Sequence, residues 1–200
     1  MTELEKRPKA KVKEISSKFA SLSLGMDRKI VSLKDYSSDW GQAFLWIKSI
    51  LIESISVVFQ CEHIGSTSII GMPAKPALDI LCLFNTEKEI QESIEKFESL
   101  GFVYKGDAVS KIHKKKPEKG RHFFSFYDLG EKVDYAHLHI FSREHPEATK
   151  QILFRDCLQE DKSLALEYEV LKKHFQDKTK TRQEYTRGKK DFVERVLKLL

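Results

Sequence analysis

Residues 62–83 read EHIGSTSIIGMPAKPALDILCL, and this stretch decides the fold. An apolar run at residues 55–59 precedes it, and a second apolar run at residues 77–84 contains its end. Between the runs lie two glycines, two prolines and three hydroxyl side chains. Turn-forming residues between β-branched and aliphatic runs predict a strand, a loop and a second strand.

Asp79 is the anomaly in this stretch, because it is a carboxylate inside an apolar strand. Burying an ionised carboxylate without a partner is costly, so we expect a cation, a metal ion or several N–H donors beside it. The simplest alternative is a structural carboxylate that caps a turn or pairs with Lys75 or Arg121. Residue chemistry alone leaves both interpretations open.

The loop Gly65-Ser66-Thr67 has the composition of a phosphate cradle. Glycine lets the backbone approach a ligand closely, and the hydroxyls and free N–H groups suit phosphate oxygens. The loop is not a P-loop, because its second glycine, Gly71, is followed by Met72 rather than by Lys-Ser/Thr, and Lys75 comes only later, before a proline. The G-x-G-x-x-G dinucleotide fingerprint is also absent from the sequence.

The totals indicate one domain of ordinary size. The chain has 200 residues, of which 40% are hydrophobic and 32% are charged. It has neither an apolar run near the roughly 20 residues of a membrane span nor the apolar core of a signal peptide. Cys61, Cys82 and Cys157 lie far apart without a C-x-x-C pair, which predicts buried thiols in a reducing, cytoplasmic setting and no membrane association.

The net charge of +5 is unevenly distributed. Residues 1–29 hold eight Lys/Arg and four Asp/Glu, which leaves the remainder almost neutral and argues against nucleic acid as a partner. We expect residues 1–29 to be a basic, mobile extension of a domain formed by residues 30–200. The alternative is a short amphipathic helix, because Val12, Ile15, Phe19 and Leu22 recur at helical spacing.

Hydrophobic periodicity and turn residues predict the other elements. Thr86 and Glu89 form a capping-box pattern at the start of a helix over residues 87–100. Other predicted helices cover residues 38–54, a segment opening at His145, residues 162–175 and residues 185–200; other predicted strands cover residues 30–33, 102–104, 122–127 and 134–141. The basic loop Lys111–Arg121, with six Lys/Arg and one glutamate, is a candidate lid.

His137 and His139 lie two residues apart in the last predicted strand. Because side chains alternate along a strand, both histidines share one face, and Leu138 and Ile140 share the other. Two such histidines can reach one metal ion or one phosphate. The alternative is a pair of half-exposed polar side chains on a solvated face.

The strand, Gly-Ser loop and Asp-bearing strand together resemble the signature of the GrpB family (UPF0157), which is assigned to the nucleotidyltransferase superfamily. The similarity continues in several ordered motifs, from about residue 30 to the end. These are Val31–Tyr36 with Trp40, Arg121 with the aromatic residues after it, His137-Leu138-His139, Phe154-Arg155-Asp156, Glu167-Tyr168, Leu171-Lys172, Tyr185-Thr186 and Lys189.

The resemblance implies an α/β (α+β) nucleotidyltransferase-like fold, a mixed β-sheet flanked by helices with a helical C-terminal portion. In such sites the Gly-Ser loop holds a triphosphate, and carboxylates on the following strand hold Mg²⁺. Active transferases usually carry a second carboxylate two residues after the first, where this sequence has Leu81. Glu62, Asp79 and His139 are the residues that would form a different metal site.

Two functions follow from these residues. The first is an enzyme that transfers a nucleotidyl or phosphoryl group to a small acceptor, with Mg²⁺ or Mn²⁺ as cofactor and a nucleoside triphosphate as substrate. Its catalytic residues would be Lys75, Asp79, His137 and His139, and its phosphate-binding residues Gly65, Ser66, Thr67, Arg121 and Lys189. The second is a non-catalytic module that binds a nucleotide or an anionic metabolite in the same pocket.

Overall fold

The structure is a computed structural model that describes residues 7–28, 30–106, 120–179 and 181–199. The helices are Lys9–Ser21 (α1), Asp39–Ser54 (α2), Glu87–Ser99 (α3), Pro146–Glu160 (α4), Lys162–Lys178 (α5), Arg182–Gly188 (α6) and Lys190–Leu197 (α7). The strands are Met26–Asp27 (β1), Gln60–Ile64 (β2), Leu78–Phe84 (β3), Val103–Tyr104 (β4), His122–Asp128 (β5) and Val133–Ser142 (β6). A short 3₁₀ turn, Ser66–Ser68, follows β2.

The strands form one mixed sheet in the order β2-β3-β6-β5-β4, and β1 pairs with the start of β6. The neighbours β3 and β6 are parallel, whereas the other pairs are antiparallel. A mixed sheet flanked by helices is the fold class that the sequence predicts, and the structure confirms it.

The two faces of the sheet differ in character. On one, which we call the core face, Ile80, Cys82, Leu138 and Ile140 pack against α1, α2 and α3 in the main hydrophobic cluster. On the other, which we call the cleft face, Asp79 lies beside His137, and Leu81 beside His139, in the parallel register of β3 and β6. The prediction that the two histidines share a face is therefore confirmed.

The N-terminal segment is part of this core. Ile15 and Phe19 of α1 are fully buried, and the Phe19 ring lies 5.5 Å from the Trp46 ring in an edge-to-face contact. The prediction of a mobile extension is therefore wrong for residues 7–28, and the alternative of an amphipathic helix describes this segment. The physical reason is the helical spacing of its apolar residues, which gives α1 one face to bury.

Several element boundaries differ from the predictions. The apolar run at residues 55–59 is not a strand, since the chain leaves α2 at Ile55 and β2 begins only at Gln60. Residues 30–33 also lack a strand, and only an isolated bridge between Lys34 and Ala74 follows them. The capping box of Thr86 and Glu89 is present at the start of α3.

The helix predicted over residues 185–200 is two helices, α6 and α7, which meet at Lys189. A β-carbon on Gly188 would lie 2.5 Å from the Phe175 ring, so glycine is required where α6 approaches α5. The Gly188–Phe175 contact thus lies directly before the break between α6 and α7 at Lys189.

A β-bulge interrupts the alternation of β6. In its pairing with β5, Ala136 lies opposite Phe126 but Asp134 lies opposite Tyr127, so Tyr135 is an extra residue. Tyr135 and Ala136 both belong to the main core cluster. The residue before the extra one, Asp134, consequently lies on the cleft side of the sheet.

All three cysteines are free thiols, and Cys61 and Cys82 are buried. Within the described residues, no helix is both long and apolar enough to span a membrane. Most of the predicted lid, residues 111–119, lies outside the described residues, and its role stays a prediction.

Candidate functional site

A cleft of about 530 Å³ lies over the cleft face, between the sheet and α6. Seven predicted site residues line it: Ser66, Thr67, Lys75, Asp79, His137, His139 and Lys189. The fold thus gathers side chains from the Gly-Ser loop, two strands and the C-terminal helices around one carboxylate.

Asp79 is held by both histidines. Its Oδ1 atom accepts hydrogen bonds from His137 Nδ1 at 3.2 Å and from His139 Nε2 at 3.4 Å. Burial alone would raise the pKa of the Asp79 carboxyl, but these two hydrogen bonds hold it well below its usual value. Asp79 is therefore an anion at neutral pH, and its partners are the histidines rather than Lys75 or Arg121.

The two histidines are left with different free atoms. Because His137 uses Nδ1 to contact Asp79, its Nε2 is the ring atom available to a ligand. His139 uses Nε2, and its Nδ1 is buried without a hydrogen-bond partner in the described part of the chain. Burial lowers the pKa of His139, so that ring is neutral at neutral pH.

Gly65 brings the phosphate-cradle loop directly onto Asp79. Its φ of 71° lies in the region that favours glycine. A β-carbon at this position would lie only 2.6 Å from Asp79 Oδ2, so any other residue would displace the carboxylate. Gly71 has a similar φ of 79°, but a β-carbon there meets nothing within 4 Å in the described chain.

Two side-chain contacts hold the Gly-Ser loop in place. The Thr67 hydroxyl lies 3.0 Å from His63 Nε2, and the Ser68 hydroxyl donates to the Gly65 carbonyl at 2.6 Å. His63 stacks on Phe44 of α2, and burial lowers its pKa to about 4, so it is neutral at neutral pH. His63 is a support of the loop that sequence reasoning missed.

Lys75 and Lys189 face the ring of Tyr185 from the loop and from the junction of α6 and α7. Their Nζ atoms lie 5.0 and 4.5 Å from the ring centroid. Burial, and then repulsion by Lys189 and Arg182, lowers the pKa of Lys75 to about 7. Burial lowers the pKa of Lys189 to about 8. Gathering these cations costs free energy that an anionic ligand would recover.

Lys172 of α5 is a third buried lysine. It is only 1% exposed, and its ammonium donates to the Pro73 carbonyl, two residues before Lys75. This contact fixes the loop that carries Lys75 to α5. Sequence reasoning used Lys172 only as part of a family motif, although a lysine among apolar helix positions indicates a fixed partner.

Glu62 does not join Asp79. Its carboxylate accepts a hydrogen bond from Arg155 of α4 at 2.9 Å, and the same Arg155 nitrogen donates to the His63 carbonyl at 3.0 Å. Among the described residues, no three His, Cys, Asp or Glu side chains form a group that could hold a metal ion. The structure therefore does not gather Glu62, Asp79 and His139 into a metal-binding cluster.

The surroundings of Leu81 explain why this position carries an apolar side chain instead of a second carboxylate. It is fully buried in an apolar cluster with Ile64, Leu83 and Phe141, and Ala148 of α4 covers them. We call Leu81, Leu83 and Phe141 the apolar half of the cleft face, and Asp79, His137 and His139 the polar half. A carboxylate at position 81 would point into this covered cluster instead of the cleft.

Arg121 lies beside the apolar half. Its guanidinium carbon is 5.4 Å from the centroid of the Phe141 ring. Its charge also contributes to lowering the pKa of His139, after burial. Arg121 is therefore close to His139, although it is not among the residues that line the cleft.

The cleft also contains a buried ion cluster that sequence reasoning missed. Asp134 is 2% exposed, and its carboxylate contacts Arg28 Nε at 3.2 Å and Arg182 Nη1. Strict alternation from His137 would place Asp134 on the core face. That conflict between charge and position was the available signal for the bulge.

The protein is of the mixed α/β class, and its cleft brings lysine and arginine side chains around two carboxylates, Asp79 and Asp134. A family model described as GrpB protein matches residues 30–199, so the chain belongs to the GrpB family. The resemblance seen in the sequence is confirmed.

Individual relatives agree. Glutamate-rich protein GrpB of Alkalihalophilus pseudofirmus is 30% identical over 177 residues, which cover 87% of this chain and 98% of that protein. UPF0157 protein YqkA of Bacillus subtilis is 30% identical over 143 residues, 69% of this chain, but the match spans only 37% of that protein's length. The crystal structure of conserved protein GrpB from Enterococcus faecalis has a TM-score of 0.72 and 23% identity, and covers 84% of this chain and 96% of that one.

Proposed function

We propose that this protein binds a nucleotide or another phosphorylated small molecule in the cleft and transfers a nucleotidyl or phosphoryl group from it to an acceptor. The observation that carries the proposal is the position of the Asp79–His137 pair beneath the Gly-Ser loop, opposite two partly buried lysines. A base, an anion cradle and uncompensated cations in one cleft are the parts that such a transfer uses.

In this proposal the loop residues 65–67 and the ammonium groups of Lys75 and Lys189 hold the phosphate charge. Asp79 accepts the Nδ1–H of His137, which leaves the Nε2 lone pair directed to the ligand. His137 Nε2 would take the proton of an acceptor hydroxyl as its oxygen bonds to phosphorus, while the bond from phosphorus to the donor's pyrophosphate or nucleoside diphosphate breaks and that group leaves as an anion. Asp79 would stabilise the imidazolium that forms. Asp79 is a charge partner and not the base, because its pKa is far below neutrality.

The donor set does not fit a two-Mg²⁺ centre. Asp79 offers one carboxylate, which already accepts from two histidines, and Leu81 occupies the usual place of the second. A pair of catalytic Mg²⁺ ions is normally held by several carboxylates. The proposed step is therefore assigned to His137 and Asp79, and the experiment tests directly whether turnover depends on a metal ion.

The experiment combines a thermal-shift screen with a turnover assay on the full chain. Nucleoside triphosphates and phosphorylated metabolites are each added with and without Mg²⁺ or Mn²⁺, since a ligand of the native state raises the melting temperature. Each stabilising compound is then followed for release of pyrophosphate, the product of nucleotidyl transfer, or of the dephosphorylated donor, the product of phosphoryl transfer. Turnover that His137→Asn and Asp79→Asn abolish, but that His174→Asn on the exposed side of α5 does not, would support the proposal.

A second function, a non-catalytic binding module, is favoured by one observation, the apolar burial of Leu81. The same screen separates the two. A ligand that raises the melting temperature and is released unchanged, with or without metal, would establish the binding module and refute the transfer. A screen in which no phosphorylated compound stabilises the protein would refute both.

A further inference from the structure

The cluster around Asp134 has more positive charge than its own carboxylate neutralises. Arg28 and Arg182 both contact Asp134, one at each carboxylate oxygen. Lys105 lines the same cleft, as do both arginines. One carboxylate against three cations leaves an excess of two positive charges at this end of the cleft.

The two guanidinium groups can still bind a ligand. The Arg28 side chain is 39% exposed and the Arg182 side chain is 25% exposed. A guanidinium carries five N–H donors in a fixed fork, and the contact with Asp134 uses one nitrogen of each. Donors of both arginines therefore remain for an anion that enters the cleft.

The cluster is held in place by its surroundings. The Arg28 guanidinium carbon lies 4.2 Å from the centroid of the Tyr127 ring, and Lys105 Nζ lies 5.4 Å from the same centroid. The Tyr127 side chain is 2% exposed, so both cations rest on a fixed aromatic surface. Burial and pairing of Asp134 fix the two arginines in the same way.

This cluster lies in the same cleft as the Gly-Ser loop, at the end where β1 pairs with β6. Asp134 precedes His137 by three residues along β6, which corresponds to roughly 7–10 Å at the rise of a β-strand. Arg28 follows β1, whose Met26 pairs with Asp134, and both residues precede the range that matches the GrpB family model. The N-terminal segment thus contributes a cleft wall and one of the cations.

We propose that Arg28, Lys105 and Arg182 form a second anion-binding subsite, which takes a phosphate or carboxylate group at the Asp134 end of the cleft. Within the proposed transfer, this anion belongs to the acceptor, so the acceptor is an anionic small molecule. That role rests on the proposed function, whereas the binding of an anion at Arg28 and Arg182 does not.

The test is calorimetric titration of the full chain with inorganic phosphate, and separately with succinate as a carboxylate probe. We expect two phosphates per chain, one at each subsite. Arg28→Gln and Arg182→Gln should each weaken one of the two by about tenfold, the effect of a lost charge-assisted hydrogen bond, and leave the other unchanged. Lys189→Gln should give the opposite selectivity, and Arg28→Lys should retain most of the affinity because it keeps the charge.

Arg195→Gln is the matched control, because Arg195 pairs with Glu167 on α5 and does not line the cleft. Each variant is melted first, and only variants with an unchanged melting temperature are compared. A single phosphate site that is lost in Lys189→Gln and unaffected by Arg28→Gln would overturn the second subsite and leave the proposed function standing. Binding of phosphate but not succinate would identify the anion as a phosphate, and the reverse would identify a carboxylate.

If phosphate binds only through Arg28 and Arg182, and His137→Asn has no effect on any turnover, the second subsite stands and the proposed transfer fails. If neither phosphate nor succinate binds through Arg28 and Arg182, the subsite is refuted. The two proposals therefore fail in different measurements.

Discussion

The two halves of the cleft face come from the same two strands, yet one is polar and open and the other is apolar and covered. Asp79 and Leu81 are two residues apart on β3 and point to the same side. What separates them is α4, whose Ala148 packs on the apolar half and leaves Asp79 to the cleft. The chemistry of a strand face thus depends on which helix covers it, as well as on alternation.

The largest expected effect is that of Leu81→Asp, which restores the second carboxylate of the transferase pattern and places it in the apolar half. The new charge would be buried among apolar side chains, so we expect a loss of about 4 kcal/mol in the free energy of unfolding, or no folding at all. Urea denaturation measures it, with Leu81→Met as the conservative control, expected to cost less than about 1.5 kcal/mol. A stable Leu81→Asp protein that binds Mn²⁺ would show that the apolar half can open.

Two neighbouring residues of β6, His137 and Leu138, allow the cleft face and the core face to be compared directly. Leu138 is fully buried on the core face, so Leu138→Ala should lower the free energy of unfolding by about 3 kcal/mol. His137→Ala removes a side chain that borders the cleft and should cost about 1 kcal/mol or less. Chemical denaturation of both variants is the measurement, and equal losses would contradict the separation of core and cleft.

Gly65, in the Gly-Ser loop, and Gly71, six residues later, provide a matched pair. Gly65→Ala and Gly71→Ala both place a side chain at positive φ, which costs about 1–2 kcal/mol. Only Gly65→Ala also drives a methyl group into Asp79, so we expect it to abolish phosphate binding while Gly71→Ala retains it. Calorimetric titration with inorganic phosphate measures the difference, and undiminished binding by Gly65→Ala would show that Asp79 can move aside.

The smallest effect concerns pH. The pKa of Lys75 is lowered to about 7 and that of Lys189 to about 8, whereas an unfolded lysine keeps its proton to about pH 10. The unfolded chain therefore binds more protons between these values, and the free energy of unfolding should rise with pH there, by about 1 kcal/mol per pH unit for each lysine. The same deprotonation should weaken phosphate binding above pH 7.

Urea denaturation at pH 7 and pH 9 measures the rise in the free energy of unfolding, and Lys75→Met is the control. The variant should be the more stable protein at pH 7, and its rise should be smaller than that of the wild type, because one of the two titrating groups is gone. Identical pH profiles for wild type and variant would mean that Lys75 is protonated normally in the folded protein.

The sequence was sufficient for the centre of the site. A carboxylate in an apolar run predicted that Asp79 needs a partner, and a spacing of two predicted that His137 and His139 share a face. The register of β3 and β6 then brings the three side chains together. The capping box at Thr86 could also be predicted from the sequence, because both of its hydrogen bonds join residues only three positions apart.

The rest of the cleft depends on tertiary contacts that leave a weak local signal. Arg28 reaches the cleft only because β1 pairs with β6, a contact between residues more than a hundred positions apart. Glu62 was a candidate metal ligand, but an arginine from α4 pairs with it instead. Composition predicted that the N-terminal segment is mobile, because its charge outweighs the few apolar residues that α1 buries.

The extra residue in β6, Tyr135, matters for any redesign of this cleft. Side chains of a regular strand face the two sides of the sheet alternately. Because Tyr135 is inserted in β6, the cleft-facing residues have odd numbers after it and even numbers before it. Deleting that one tyrosine would restore strict alternation and keep Asp134 on the cleft side, but it would bring Asp134 one residue closer to His137 along β6, and the ion cluster would move toward the histidines. The length of a strand, counted in single residues, is here as much a part of the binding chemistry as the identity of any side chain.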